Sequence, residues 1–138
     1  MSARSSSPRV SIVIPTKDEA KNLEVLLPDL PDVYEVVLVD AGSTDGTVDV
    51  ARRHLSNVRV VEQTRTGKGN ALVCGMYAAA GDVIVTLDAD GSADPCEIPA
   101  FVDALVDGAD FAKGSRYMSG GGSVDLTRLR AAGNWSLN

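Results

Sequence analysis

Four short runs of apolar and β-branched residues, at positions 10–14, 35–39, 58–62 and 83–87, recur along this chain with a longer helical stretch between each pair. A strand that faces water on one side alternates polar and apolar residues. These runs are apolar nearly throughout, so both of their faces must be covered, which is the condition of a mostly parallel sheet with helices on both sides. The expected order is strand 10–14, closed by Pro15, then a helix over 19–27 ended by Pro28 and Pro31. Strand 35–39, helix 47–54, strand 58–62, helix 70–80 and strand 83–87 follow. Asp94-Pro95-Cys96-Glu97 reads as an N-cap, a first-turn proline and a capping-box acid opening a helix to about 106. A short strand at 110–113, a glycine hinge at 120–122 and a helix over 127–137 complete the expectation.

At 138 residues, with 44% hydrophobic and 23% charged residues, the chain suits one soluble globular domain. The formal net charge of -6, from 19 acidic and 13 basic residues, argues against nucleic acid as the main partner. Cys74 and Cys96 have no CxxC spacing and no secretory leader precedes them, which points to a reduced, cytoplasmic setting. His54 is the sole histidine, at a helix end where it favours the dipole, so zinc sites and histidine triads lack material. Residues 1–9 are Ser-rich without an apolar core and read as a disordered tail. No apolar run approaches the roughly 20 residues needed to span a bilayer.

Ligands of such sheets bind beyond the carboxyl ends of the strands. The polar motifs fall there: Pro15-Thr16-Lys17-Asp18-Glu19, then Asp40 to Ser43, then Arg65 to Lys68, then Asp88-Ala89-Asp90, then Gly114-Ser115-Arg116. In extended backbone, side chains two apart point the same way, so Asp88 and Asp90 can face one point. Aspartate carboxylates are ordinarily charged at neutral pH, and two such hard oxygen donors suit Mg2+ or Mn2+; a solvated turn is the plainer alternative. The first turn has no glycine, which excludes a dinucleotide fingerprint, and Gly67-Lys68-Gly69 does not complete a P-loop. Asp88-Ala89-Asp90-Gly91-Ser92 resembles the DxDG[ST] motif of aspartyl-phosphate phosphatases, but that family carries it on the first strand. A nucleotidyltransferase would show a glycine-rich basic loop after its first strand.

Together the rim motifs resemble those of family 2 glycosyltransferases of the GT-A fold. The resemblance is carried by Val13-Ile14-Pro15-Thr16-Lys17-Asp18-Glu19, by Val37-Leu38-Val39-Asp40-Ala41-Gly42-Ser43-Thr44-Asp45-Gly46-Thr47 and by the DxD-like Asp88-Ala89-Asp90. Gly114-Ser115-Arg116-Tyr117 and Arg130 are most similar to the branch acting on dolichyl or polyprenyl phosphate. The resemblance implies an α/β, Rossmann-like nucleotide-sugar-binding domain over 10–138, incomplete at its C-terminus. It implies that Pro15, Thr16, Glu19 and Asp40 hold base and ribose, and that Gly42, Ser43 and Ala89 belong to the same donor site. Arg65 and Lys68 would lie by the diphosphate, and Asp88 and Asp90 would bind Mg2+ or Mn2+. Asp90, Arg116 and Arg130 would be the catalytic set, the two arginines gripping the acceptor phosphate. Ser92 sits where a further polar ligand could help, and Ala41 stands where the family has a second acid. Each residue also has a plainer use as a strand end, turn, helix cap or solvated charge.

The implied partners are a GDP- or UDP-linked sugar and a lipid-phosphate acceptor at a membrane surface, placing the protein in the cytoplasm or at the inner membrane face, with oligomers an open option. The implied reaction is inverting sugar transfer; the alternative is a truncated remnant that binds nucleotide sugar without turning it over.

Overall fold

The computed structural model describes residues 8–107 in full and the backbone of strands 111–113 and 125–128. The elements run β1 (Val10–Thr16), α1 (Ala20–Leu26), β2 (Glu35–Asp40), α2 (Thr47–His54), β3 (Arg59–Glu62), α3 (Lys68–Ala78), β4 (Val83–Thr86), α4 (Ile98–Val106), β5 (Phe111–Lys113) and β6 (Asp125–Arg128). They form one six-stranded sheet in the order β3-β2-β1-β4-β6-β5. The first four strands are mutually parallel, and β6 runs antiparallel to both β4 and β5. The mostly parallel α/β sheet expected from the apolar runs is therefore present.

Alternate residues of the central strands feed two cores. Ile12, Ile14, Leu38, Val85 and Leu87 pack with Leu23, Leu26, Val50, Ile98 and Leu105 of α1, α2 and α4. Val13, Val37, Val39 and Ile84 face the other way, onto Ala71 and its neighbours in α3. Glycine lets α3 approach this closely: a Cβ at Gly75 would stand 2.2 Å from Val13 Cγ1 and 3.0 Å from Val39 Cγ2. Every residue of β2 is buried, Glu35 and Asp40 included. At the amino end of the sheet Glu35 is satisfied by the Ser11 hydroxyl, which donates to its Oε2 at 2.6 Å.

Several boundaries differ from expectation for identifiable reasons. Pro15 lies inside β1, which runs on to Thr16. Val13 C=O accepts from Leu87 N on the β4 side, whereas Thr16 C=O accepts from Ala41 N on the β2 side. Alternation thus turns the missing N–H of Pro15 towards β4, whose pairing with β1 has already ended at Thr86. The helix expected over 127–137 is corrected at its start: residues 125–128 are β6, which pairs Val83↔Arg128 through Thr86↔Asp125 and so satisfies the open edge of β4. Its remainder, the hinge at 120–122 and the tail residues 1–7 lie outside the described residues.

Arg9, expected in a disordered tail, is held instead. Its N–H donates to Asp82 Oδ2 at 3.0 Å, its guanidinium pairs with Asp82 Oδ1 at 3.2 Å, and it lies over the Tyr34 ring. Asp94 caps the fourth helical segment by accepting from Cys96 N at 2.9 Å, but the first turn, Pro95–Glu97, is 3-10. Glu97 Oε1 is buried without a partner, so this oxygen makes no reciprocal capping-box bond.

Candidate functional site

The loops beyond the carboxyl ends of β1 to β4 line an open cavity of about 800 Å3. Its lining comes from Pro15, Thr16, Lys17 and Glu19 after β1, Ala41 after β2, Gln63 to Lys68 after β3, Ala71 on α3, and Asp88, Ala89 and Asp90 after β4. Four separated stretches of the chain thus meet where a parallel sheet offers its ligand site.

Asp40 supports this cavity from behind. Its carboxylate accepts from Thr16 Oγ1 at 3.0 Å, Ser43 Oγ at 2.6 Å, Gly42 N at 3.1 Å and Ser43 N at 2.9 Å. Burial pushes its pKa up, but the bonds from Ser43, Thr16 and Gly42 outweigh that and hold it below the ordinary carboxylate value. Gly42 takes φ +78, the left-handed region that favours glycine, and neither Gly42 nor Ser43 lines the cavity. The Ser43 hydroxyl accepts from Asp18 N at 2.7 Å, Asp18 Oδ1 accepts from Thr44 N at 2.8 Å, and Glu19 N donates to Thr47 Oγ1 at 3.0 Å. Asp45 accepts from Ala20 N at 3.1 Å and also bonds both Thr47 N and its hydroxyl. The β1–α1 and β2–α2 turns are therefore stitched together by side chain to backbone bonds. Pro15, Thr16 and Glu19 reach the cavity from this stitched wall.

The opposite wall is basic. Its loop is braced locally: Gln63 Nε2 donates to Gly67 C=O at 2.6 Å, and Asn70 Oδ1 accepts from Arg65 N at 2.9 Å. Gly67 caps α3 at φ +107, and no side chain caps this helix end, so its positive pole sits at the cavity wall with Lys68. Arg65 and Lys68 are exposed.

β4 stops at Thr86, and Ala89-Asp90 forms a turn, not the extended segment that first suggested a shared direction for the two carboxylates. Both nonetheless line the cavity, with Ala89 buried between them in the core. Lys68 Nζ lies 2.7 Å from Asp88 Oδ1, and Ser92 N donates to Asp90 Oδ1 at 2.9 Å. Ser92 Oγ is buried and has no partner. Among the described residues no three His, Cys, Asp or Glu side chains gather. Two hard carboxylates are the donor type that suits Mg2+ or Mn2+, and the remaining ligands of such an ion would have to come from outside this pair.

The lining also includes Lys17 and Thr66, which lie in the rim motifs without an assigned role, and Gln63 and Thr64, which sequence reasoning did not single out. These last two precede Arg65 on the same loop, and that adjacency was their available signal. Gly114, Ser115, Arg116, Tyr117 and Arg130 lie outside the described residues. Among the described residues no helix is long and apolar enough to cross a membrane.

The sequence profile of glycosyl transferase family 2 matches residues 11–137. A dolichol-phosphate mannosyltransferase of Pyrococcus furiosus is 39% identical over 121 residues, which is 82% of this chain and 34% of the relative. The mannosyltransferase PcManGT of Pyrobaculum calidifontis, solved with GDP-Man and Mn2+, superposes with a TM-score of 0.74 at 25% identity, covering 91% of this chain and 46% of its own. A glucosyl-3-phosphoglycerate synthase of Mycobacterium tuberculosis, solved with Mn2+, UDP and glucosyl-3-phosphoglycerate, gives a TM-score of 0.66 at 27% identity over 77% of this chain and 43% of that one. The chain spans less than half the length of these relatives.

Proposed function

This chain belongs to glycosyl transferase family 2, and from that premise we propose that it transfers a sugar from a nucleoside-diphosphate sugar to a polyprenyl or dolichyl phosphate, with inversion and with Mg2+ or Mn2+. One observation carries the reading: a single cavity presents the Pro15–Glu19 turn, the basic 63–68 loop and the Asp88/Asp90 pair together. Its volume lies within the range of small-molecule sites. Base and ribose would lie against Pro15, Thr16 and Glu19, whose carboxylate can accept from N–H or hydroxyl groups. Asp40, Gly42 and Ser43 would serve by holding that turn in place. Arg65, Lys68 and the amino end of α3 would face the diphosphate. Asp88 and Asp90, with Ala89 packed between them, would hold the divalent ion, which supplies charge neutralisation at the departing diphosphate.

The acceptor follows from the relative named for dolichol phosphate. A phosphate oxygen is already anionic, so attack on the anomeric carbon needs no general base. The new bond forms from that oxygen's electron pair, and the carbon–oxygen bond to the diphosphate breaks with its pair leaving on the nucleotide. What remains for the protein is positioning and stabilisation of the leaving group. Arg116 and Arg130 are proposed to grip the acceptor phosphate, with the protein working at the cytoplasmic face of a membrane. The test is transfer of radiolabelled mannose or glucose from its nucleotide to polyprenyl phosphate in vesicles. Mn2+-dependent product that disappears in Asp90→Ala supports the reading. Undiminished transfer in excess EDTA contradicts it, and nucleotide-sugar binding without transfer would leave a binding module.

A further inference from the structure

We propose that Lys68 is the resting counter-cation of Asp88, and that it leaves this carboxylate for the diphosphate when donor and metal load together. The inference rests on the donor and metal reading above and concerns how that site is held before either arrives. Lys68 Nζ sits 2.7 Å from Asp88 Oδ1. The two partners are unequally placed: the Lys68 side chain is 60% exposed and that of Asp88 24%. Lys68 is the first residue of α3, so its backbone is fixed while its four-carbon stem is free to swing.

A divalent ion bound by Asp88 and an ammonium on the same carboxylate would repel each other at close range, in a site only partly screened by water. Metal alone must therefore compete with Lys68 for Asp88. A diphosphate removes the competition, because it offers the ammonium a new anionic partner within the same cavity. Lys68 then couples two binding events: it weakens uptake of free metal and strengthens uptake of metal that arrives with nucleotide. Asp90 Oδ1 accepts from Ser92 N at 2.9 Å.

The experiment counts free Mn2+ by its electron paramagnetic resonance signal, at low ionic strength, in titrations with and without UDP or GDP. The proteins are the wild type, Lys68→Met, which keeps the stem and removes the charge, and Lys21→Met, an exposed lysine on α1, as control. Lys68→Met is expected to bind Mn2+ alone roughly twofold to fivefold more tightly than wild type, the size expected from removing an ion pair with one exposed partner. Its gain in Mn2+ affinity on adding nucleotide should shrink, while Lys21→Met follows the wild type. Equal or weaker Mn2+ binding by Lys68→Met without nucleotide overturns the proposal. In that case nucleotide-enhanced Mn2+ uptake by the wild type would leave the parent reading standing. No Mn2+ uptake by any of the proteins in the presence of nucleotide would overturn both.

Discussion

On one side of the cavity the β1–α1 and β2–α2 turns hold each other, and their acids Asp18, Asp40 and Asp45 accept bonds from neighbouring backbone amides and hydroxyls. On the other side the loop after β3 is braced within itself, onto the first turns of α3 and, through Gln63 N, onto Asp40 C=O at 3.0 Å, and its Arg65 and Lys68 stand exposed. The first wall resembles a protein interior, in which polar groups are satisfied before any ligand arrives. The second keeps its charges where a ligand can rearrange them, as the Lys68–Asp88 pair illustrates. A preorganised surface and an adaptable, charged surface thus meet across one cavity. For the proposed ligand, preorganisation would lower the ordering cost of binding on the first, and ion pairs would supply electrostatics on the second.

The comparison breaks first at Asp40. Asp40→Ala leaves two amides and two hydroxyls without their shared acceptor, and we expect a loss of about 2–4 kcal/mol in urea denaturation, given the cost of unsatisfied buried donors. A loss no greater than that of an exposed substitution would mean the stitched wall is not a stability element. Ser43→Ala removes one hydroxyl that both donates to Asp40 and accepts from Asp18. Its expected cost is smaller, about 1–2 kcal/mol by the same assay.

Acid should sharpen the contrast. The folded pKa of Asp40 is depressed, so its contribution is fully present above the unfolded value near ~3.9 and is lost as pH falls through the lower folded value. The stability gap between wild type and Asp40→Asn should accordingly be constant from about pH 5 to 8 and narrow below about pH 4. A gap independent of pH down to full acid unfolding would show that the charge of Asp40 is not what the turn needs. Lys68→Met should change stability least, within about 0.5 kcal/mol, as expected for an exposed charge on the adaptable wall.

Much of this arrangement could be read from the chain itself. Strands covered on both faces appear as β-branched runs, which made β1, β2 and β4 and the mostly parallel arrangement legible, whereas β3, at the sheet edge, leaves Arg59 and Glu62 exposed. The rim positions followed from topology, and the cavity does gather Pro15, Thr16, Glu19, Arg65, Lys68, Asp88, Ala89 and Asp90. Strand β6 was not legible, because Asp125-Leu126-Thr127-Arg128 carries no apolar run and pairs through its backbone with β4. The use of Asp40 was also hidden. Its residue type suggests an acceptor for ribose, but its partners Thr16 and Ser43 converge only when two turns distant in sequence are brought together. The boundary at Pro15 failed for a similar reason, since whether a missing N–H matters depends on which neighbouring strand it faces.

Central to the account is that this cavity takes a nucleotide sugar in a metal-dependent way, with Asp88 and Asp90 as the protein's contribution. Isothermal calorimetry with GDP-mannose and UDP-glucose tests this most directly, in Mn2+ and again in excess EDTA, for the wild type and Asp90→Ala. The account predicts saturable heat with at least one donor in Mn2+, weakened at least tenfold both by EDTA and by Asp90→Ala, a difference of about 1.4 kcal/mol. Binding of equal strength with and without the metal, or no binding of either donor, would contradict it.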